Sequence, residues 1–177
     1  MESFVTIVIG IVIAFALLVA YVRAVQWLKE ARTTRFVFAD RDTYLFLKLD
    51  RRLGCGESAL LTMRALREAL RLKLTGVGYE RILVEASALR IANTRAFWLL
   101  IGALGPALRN EKVKLAVACG RRTQAGRRFR ESGILTPFPS VLEGERYLRS
   151  AEPPQRVPLD PEQLDALLVP RQRKVAA

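Results

Sequence analysis

The chain of 177 residues contains no histidine. Histidine is the commonest general base near neutral pH and the commonest metal ligand, so its absence excludes Ser-His and Cys-His nucleophile pairs. We also find no P-loop, Gly-rich dinucleotide turn, metal-ligand cluster or paired-carboxylate signature. The sequence therefore predicts a protein that is not an enzyme and that uses no metal and no cofactor.

Cysteine is scarce as well. Cys55 and Cys119 lie far apart and neither belongs to a CxxC pair. This pattern indicates neither a zinc site nor a disulfide framework, and it agrees with a reducing compartment such as the cytoplasm. We interpret both residues as packing residues.

Charge is missing from Phe4 to Val22, a continuous apolar run. At about 1.5 Å per helical residue, the run is long enough to cross a bilayer core of about 30 Å. A cleaved signal peptide is disfavoured because the run lacks a basic start and a small-residue cleavage site. Only Met1–Ser3 precede the run, whereas several basic residues follow it: Arg23, Lys29, Arg32 and Arg35. The positive-inside bias predicts a single-pass anchor in the inner membrane, with the N-terminus outside and the remainder in the cytoplasm.

Acidic residues are outnumbered, and the formal net charge is +12. The segment Gly120–Arg130 concentrates basic side chains, namely Arg121, Arg122, Arg127, Arg128 and Arg130. Contact with anionic lipid or with a partner is one interpretation, and a solvated helix face is the other. Nucleic-acid binding is disfavoured, since the cluster has no interleaved aromatic residues and the chain has no zinc-finger or RNA-recognition signature.

Three segments organise the chain: an anchor and juxtamembrane helix at 1–34, one compact domain at 35–150, and a Pro-rich linker with a basic tail at 151–177. Strand patterns alternate with helix patterns in the domain. The predicted strands are 36–38, 43–49, 81–86 and 112–119, and the predicted helices are 58–73, 94–108, 124–132 and 140–148. Such alternation predicts an α/β fold with a largely parallel sheet and packed helices. A further short helix in the tail, PEQLDALL, either docks on the domain or is disordered.

The order and spacing of these elements resemble the STAS domain, the fold of anti-sigma-factor antagonists and of the cytoplasmic tails of sulphate transporters. The best stretch is ILVEASALRIANTRAFWLL from Ile82 to Leu100. In it, Asn93 falls on the family's turn Asp and Thr94 on its phosphorylatable Ser or Thr. KVKLAVAC, RRFRESGI and FPSVLEGERYL resemble the family's last strand and last two helices. Asn93, Arg95 and Ala96 depart from the Asp-Ser-Ser-Gly turn, which makes the looser SpoIIAA-like branch an equally good relative.

The resemblance implies that Thr94 starts a helix, where backbone N–H groups favour an anion. A phosphate there would lie beside Arg90 and Arg95 and would add about 1.5–2 negative charges. The simpler alternative is that Asn93 or Thr94 caps the helix through its side-chain oxygen.

Two functions of different classes follow from these patterns. The first is a membrane-anchored, non-enzymatic regulatory module that binds a protein partner through Arg90, Asn93, Thr94 and Arg95, with a phospho-switch at Thr94. The alternative is an accessory subunit of a membrane transport complex, or a SpoIIAA-like domain that binds a lipid or small ligand.

Overall fold

The computed structural model describes residues 15, 17–19, 21, 34–155 and 161–168. The chain divides into two compact units, residues 1–32 and 33–177. In the first unit the described residues are helical, and their side chains are between 39% and 68% exposed. Within the described ranges, no helix combines the length and the hydropathy needed to cross a bilayer. Most of the predicted anchor, the juxtamembrane helix and the basic tail lie outside the described residues.

A four-stranded sheet forms the centre of the second unit. Its strands are β1 (Arg35–Arg41), β2 (Tyr44–Asp50), β4 (Arg81–Glu85) and β6 (Lys114–Ala118), in the order β1-β2-β4-β6. β1 pairs antiparallel with β2, and the other two pairings are parallel. Phe138 adds a single parallel bridge beside Ala118. The predicted α/β class with a mostly parallel sheet is therefore confirmed.

Helices cover both faces of this sheet, as the uncharged cores of β4 and β6 predict. The helices are α1 (Glu57–Gly76), α2 (Thr94–Ala103), α3 (Gly105–Arg109), α4 (Gln124–Ser132), α5 (Val141–Arg149) and α6 (Pro161–Ala166). Alternate strand residues point to opposite faces, so Ile82 and Val84 join the larger core while Leu83 joins the smaller one. The smaller core lies under α5, where Tyr147 and Leu148 are buried.

The start of α1 differs from the prediction. The helix predicted over 58–73 begins one residue earlier, with Gly56 at the N-cap position and no side chain capping it. Glu57 already lies in the first turn, where a carboxylate is favoured by the helix dipole. Four apolar side chains of α1 are buried against the core, namely Leu60, Met63, Leu66 and Leu70, whereas Leu61 and Leu72 are exposed.

The helix predicted over 94–108 is broken into α2 and α3. Leu104 ends α2, and Pro106 lies in the first turn of α3. Proline has no N–H to donate and its ring clashes with the carbonyl four residues earlier, so a continuous helix cannot pass this point. After the break, α3 buries Ala107 in the larger core.

The tail helix α6 docks on the domain, which decides between the two interpretations of PEQLDALL. Leu164 and Leu168 are 1% and 4% exposed and belong to the larger core. Gly102 permits the close approach, because a Cβ there would lie 3.0 Å from carbon atoms of both Leu167 and Leu168.

Candidate functional site

The predicted site residues lie at the carboxyl edge of the sheet. β2, β4 and β6 are parallel, so their carboxyl ends share one edge. The loops that follow these strands lead into the N-termini of α1, α2 and α4. In parallel α/β sheets this edge is the usual place for binding sites, since it gathers loops and helix N-termini.

A short ribbon ties two of these loops together. β3 (Arg52–Leu53) pairs in parallel with β5 (Arg90–Ile91). The N–H of Arg90 donates to the carbonyl oxygen of Arg51 at 2.8 Å, and the N–H of Ala92 donates to that of Leu53 at 2.9 Å. Arg51 adopts the left-handed region with φ of 68°, which turns the chain from β2 into the ribbon. Sequence analysis missed the ribbon, because two-residue strands carry no periodic pattern.

Asn93 is the cap of α2. Its Oδ1 accepts a hydrogen bond from the N–H of Ala96 at 2.9 Å, and its Nδ2 donates to Sγ of Cys55 at 3.3 Å. The capping interpretation is therefore confirmed for Asn93. It also gives Cys55 a contact that sequence analysis did not predict: the half-buried thiol joins the loop after β3 to the start of α2.

Around this cap lies a surface that we call the helix-start surface, made of Arg90, Asn93, Thr94 and Arg95. All four residues are exposed. The residues that follow are buried, and the ring of Phe97 packs edge-to-face on that of Phe129 with centroids 5.1 Å apart. The side chains of the helix-start surface are thus exposed to solvent, while the buried residues that follow them fix the position of its backbone.

The predicted basic cluster lies on the neighbouring loop and on α4. Thr123 caps α4 by accepting from the N–H of Gly126 at 3.1 Å. Arg121 and Arg122 are exposed in the loop before this cap, at the same sheet edge as the helix-start surface. α4 contacts β5, so the two predicted sets of site residues are neighbours.

The arginines of α4 itself have different surroundings. Arg130 donates through Nη2 to the carbonyl oxygen of Arg121 at 2.5 Å. Arg128 forms an ion pair with Glu131 at 3.8 Å, whereas Arg127 is exposed. Arg130 and Arg128 therefore each have a partner within α4 or within the loop that precedes it.

Three side chains of the domain that could be reactive are buried or hydrogen-bonded. Cys119 is buried, and this burial raises the pKa of its thiol to about 11. Lys114 is 7% exposed, and its Nζ donates to the carbonyl oxygen of Ser150 at 2.9 Å. Burial lowers the pKa of Lys114. Tyr44 donates through its hydroxyl to Glu145. No group of three acidic or cysteine side chains capable of holding a metal ion occurs in the part of the chain that the structure describes.

The comparisons with known proteins found matches in structure but not in sequence. No family model matches the sequence, and no curated protein matches it. Six solved chains match its structure. One is the crystal structure of an anti-sigma factor antagonist from Mycobacterium paratuberculosis, with a TM-score of 0.51 at 12% sequence identity. The match covers 66% of this chain and 95% of that chain.

The fold is STAS-like. The fold expectation drawn from Ile82–Leu100 is thereby confirmed, although the two sequences are only 12% identical. At this identity the likeness concerns the fold alone. The roles of the helix-start surface and of the arginines before α4 in the STAS-like domain remain predictions.

The cap of α2 leads to a first testable prediction. We expect Asn93→Ala to destabilise the domain by about 1 kcal/mol, because the N–H of Ala96 loses its acceptor. Asn93→Asp keeps a capping oxygen and should stay within a few tenths of a kcal/mol of wild type. Urea denaturation of the full chain in mild detergent measures both effects. Equal losses in the two variants would show that the Cys55 contact, not the cap, supports this turn.

Proposed function

We propose that the protein is a membrane-anchored, non-enzymatic regulatory module whose STAS-like domain binds a protein partner through the helix-start surface. The observation that carries the proposal is the combination of exposure and rigidity at Arg90, Asn93, Thr94 and Arg95. The side chains are exposed, while a cap, a strand ribbon and a ring contact hold their backbone. A preformed surface avoids the ordering cost that weakens association.

Partner chemistry is suggested by charge. Arg90 and Arg95 lie on the surface itself, and Arg121 and Arg122 are exposed at the same sheet edge. Such an arrangement favours an acidic surface on the partner and speeds the encounter between the two proteins. The non-enzymatic assignment is supported by the buried or bonded state of Cys119, Lys114 and Tyr44.

Thr94 is the residue through which the contact would be regulated. Asn93 already supplies the capping oxygen, so capping makes no demand on the Thr94 hydroxyl. A phosphate on Thr94 would lie at a helix N-terminus that offers backbone N–H groups, with Arg90 and Arg95 on the same surface. This charge would neutralise most of the positive charge of Arg90 and Arg95 and so weaken binding of an acidic partner.

We propose further that Phe4–Val22 anchors the chain in the inner membrane, with the STAS-like domain on the cytoplasmic side. The anchor and juxtamembrane helix would occupy residues 1–34, the domain residues 35–150, and the linker and basic tail residues 151–177. Support comes from the uncharged run and from the basic residues that follow it. Within that run, Phe15, Leu17 and Tyr21 are exposed apolar residues. The arginines of Gly120–Arg130 would then lie in a cytoplasm bounded by anionic lipid.

The experiment is in-cell crosslinking followed by extraction of the full chain in mild detergent and mass spectrometry of the captured proteins. The test variant is Arg90→Ala/Thr94→Ala/Arg95→Ala, which spares the cap. The control variant, Thr43→Ala/Arg81→Ala/Lys112→Ala, likewise removes one threonine and two cationic side chains, from exposed positions at the opposite edge of the sheet. We expect a partner that crosslinks to wild type and control and is lost, by about tenfold or more, in the test variant.

The possible outcomes separate the functions. Transport subunits lost in the test variant would identify an accessory subunit, and a kinase or soluble regulator would identify a switch module. A partner retained by the test variant would place the binding surface elsewhere and reject the proposal. Release of the full chain from membranes by alkaline wash would reject the anchor.

A further inference from the structure

The C-terminal helix α6 lies in a groove with the chemistry of a peptide-binding site. We name it the α6 groove and define it by Arg64, Arg67, Gly102, Gly105 and Arg109. Leu164 of α6 and Leu168, in the turn that follows α6, are buried there. The glycines form its floor, since a Cβ on Gly102 would lie 3.0 Å from Leu168 and one on Gly105 would lie 3.8 Å from Leu164.

Arginines on two helices recognise the acidic and carbonyl groups of α6. Arg67 from α1 and Arg109 from α3 both donate to Oδ1 of Asp165, and Arg109 and Arg67 together lower the pKa of that carboxyl. Arg64 donates through Nε and Nη2 to the carbonyl oxygen of Leu168 at 3.1 and 2.9 Å. A segment made of α6 and the turn that follows it, with two buried leucines and one carboxylate, is thus bound by an apolar floor and three guanidinium groups, as in helix-in-groove complexes.

A cavity of about 320 Å³ adjoins the α6 groove. It shares Arg67 and Arg109 with the groove and is also lined by Arg71, Leu74, Thr75, Pro106 and Asn110. Among the described residues, Nε of Arg109 is buried and has no hydrogen-bond partner. The cavity therefore combines apolar lining with guanidinium groups, and it has room for side chains that the short α6 does not supply.

The tether favours α6 over any external helix. A helix as short as Pro161–Ala166 is unstable by itself, so its docking depends on the groove and on its attachment to the same chain. Attachment gives it an effective concentration in the millimolar range, on the order expected for short linkers. An external helix with the same anchors and more contacts can overcome that advantage by reaching the cavity.

We propose that the α6 groove is a binding site for an acidic, leucine-bearing helix of a partner protein, and that α6 is a built-in competitor that occupies the site until the partner displaces it. The partner motif is Leu-Asp-x-x-Leu, as in Leu164–Leu168, with a further acidic or apolar side chain for the cavity. The groove is assigned independently of the helix-start surface.

The test uses the full chain in detergent and a fluorescein-labelled peptide of residues 159–170, followed by fluorescence anisotropy. Asp165→Lys in the protein places a cation beside Arg67 and Arg109 and should release α6. If α6 leaves the groove open less than a tenth of the time, the wild-type protein binds the peptide at least about ten times more weakly than a protein with an open groove. We therefore expect the Asp165→Lys protein to bind the peptide at least about ten times more tightly than wild type.

Two further variants keep the outcome interpretable. The protein variant Arg67→Glu/Arg109→Glu, with Asp165 retained, should also release α6, because Asp165 then faces two carboxylates. It should not bind the native peptide, and it should bind a peptide with lysine in place of Asp165. That transfer shows that the double variant is folded. A peptide with both Leu164 and Leu168 replaced by alanine should not bind any of the proteins.

Three results would overturn the proposal. Equal affinity of wild type and Asp165→Lys would show that α6 does not compete for the groove. Binding of the native peptide that survives Arg67→Glu/Arg109→Glu would place its site elsewhere. A wild-type dimer in sedimentation, with crosslinks from α6 of one copy to the groove of another, would make a second copy the occupant in place of a different protein.

Discussion

Replacing Phe129 by alanine is expected to destabilise the domain by about 3–5 kcal/mol, the cost of removing a fully buried aromatic ring. Phe129 is 0% exposed and packs edge-to-face on Phe97. It is the large apolar side chain of α4, a helix whose other members are mostly small, polar or basic. Its loss would leave a cavity in the larger core between α2 and α4.

This prediction bears on the site as well as on stability. Phe97 follows the helix-start surface, and Phe129 joins it to the helix that carries the basic cluster. Urea denaturation of the full chain in detergent, followed by fluorescence of Trp98 in a Trp27→Phe background, reports on this contact, since Trp98 lies 5.8 Å from the Phe97 ring centroid. Arg127→Ala, an exposed change on the same helix, is the control and should lie within about 0.5 kcal/mol of wild type. A loss below about 1 kcal/mol for Phe129→Ala would contradict the packing described here.

Gly126→Ala is expected to destabilise the domain even though alanine favours helices. A Cβ on Gly126 would lie 2.6 Å from the carbonyl oxygen of Gly120 and 3.3 Å from that of Cys119. Both are backbone atoms of the loop that carries Arg121 and Arg122. Overpacking costs about 1–3 kcal/mol, and because the backbone cannot rotate away we expect this cost to exceed the gain of about 1 kcal/mol in helix propensity.

The control is a glycine-to-alanine substitution at a position where the added Cβ meets no other atom. Gly76 ends α1, and a Cβ there would meet no atom within 4 Å. Gly76→Ala should therefore be neutral or stabilising by up to about 1 kcal/mol. Opposite signs for the two glycines in thermal denaturation would confirm the close approach at Gly126, and equal signs would contradict it. We also expect Gly126→Ala to displace the loop that carries Arg121 and Arg122. A loss of protection of this loop from trypsin would detect the displacement.

The strands and helices were predictable where the local sequence carries a clear signal, such as a continuous apolar run or a helix cap. Ile82–Val84 and Leu115–Val117 are uninterrupted apolar segments, and each forms a buried strand. α4 begins and ends at the residues predicted from its sequence, because Thr123 caps its start and Gly133 adopts the left-handed conformation at its end. Local chemistry decides such boundaries.

Other elements were missed because their causes are not local. The pairing of Arg52–Leu53 with Arg90–Ile91 needs two loops to meet across the sheet edge. The contact between Asn93 and Cys55 joins residues that are distant in sequence. Nothing in the tail sequence identifies Arg67 and Arg109 as the partners of Asp165, because any of the chain's many arginines would serve equally well on charge alone.

Composition and neighbours within one helical turn were enough to predict the α/β class, the buried strands, the absence of histidine chemistry and the capped start of α2. They could not predict that the helix-start surface lies at the same sheet edge as Arg121 and Arg122, or that α6 docks in a groove. Parallel strands and packed helices bring together residues from distant segments, so these contacts depend on the path of the whole chain.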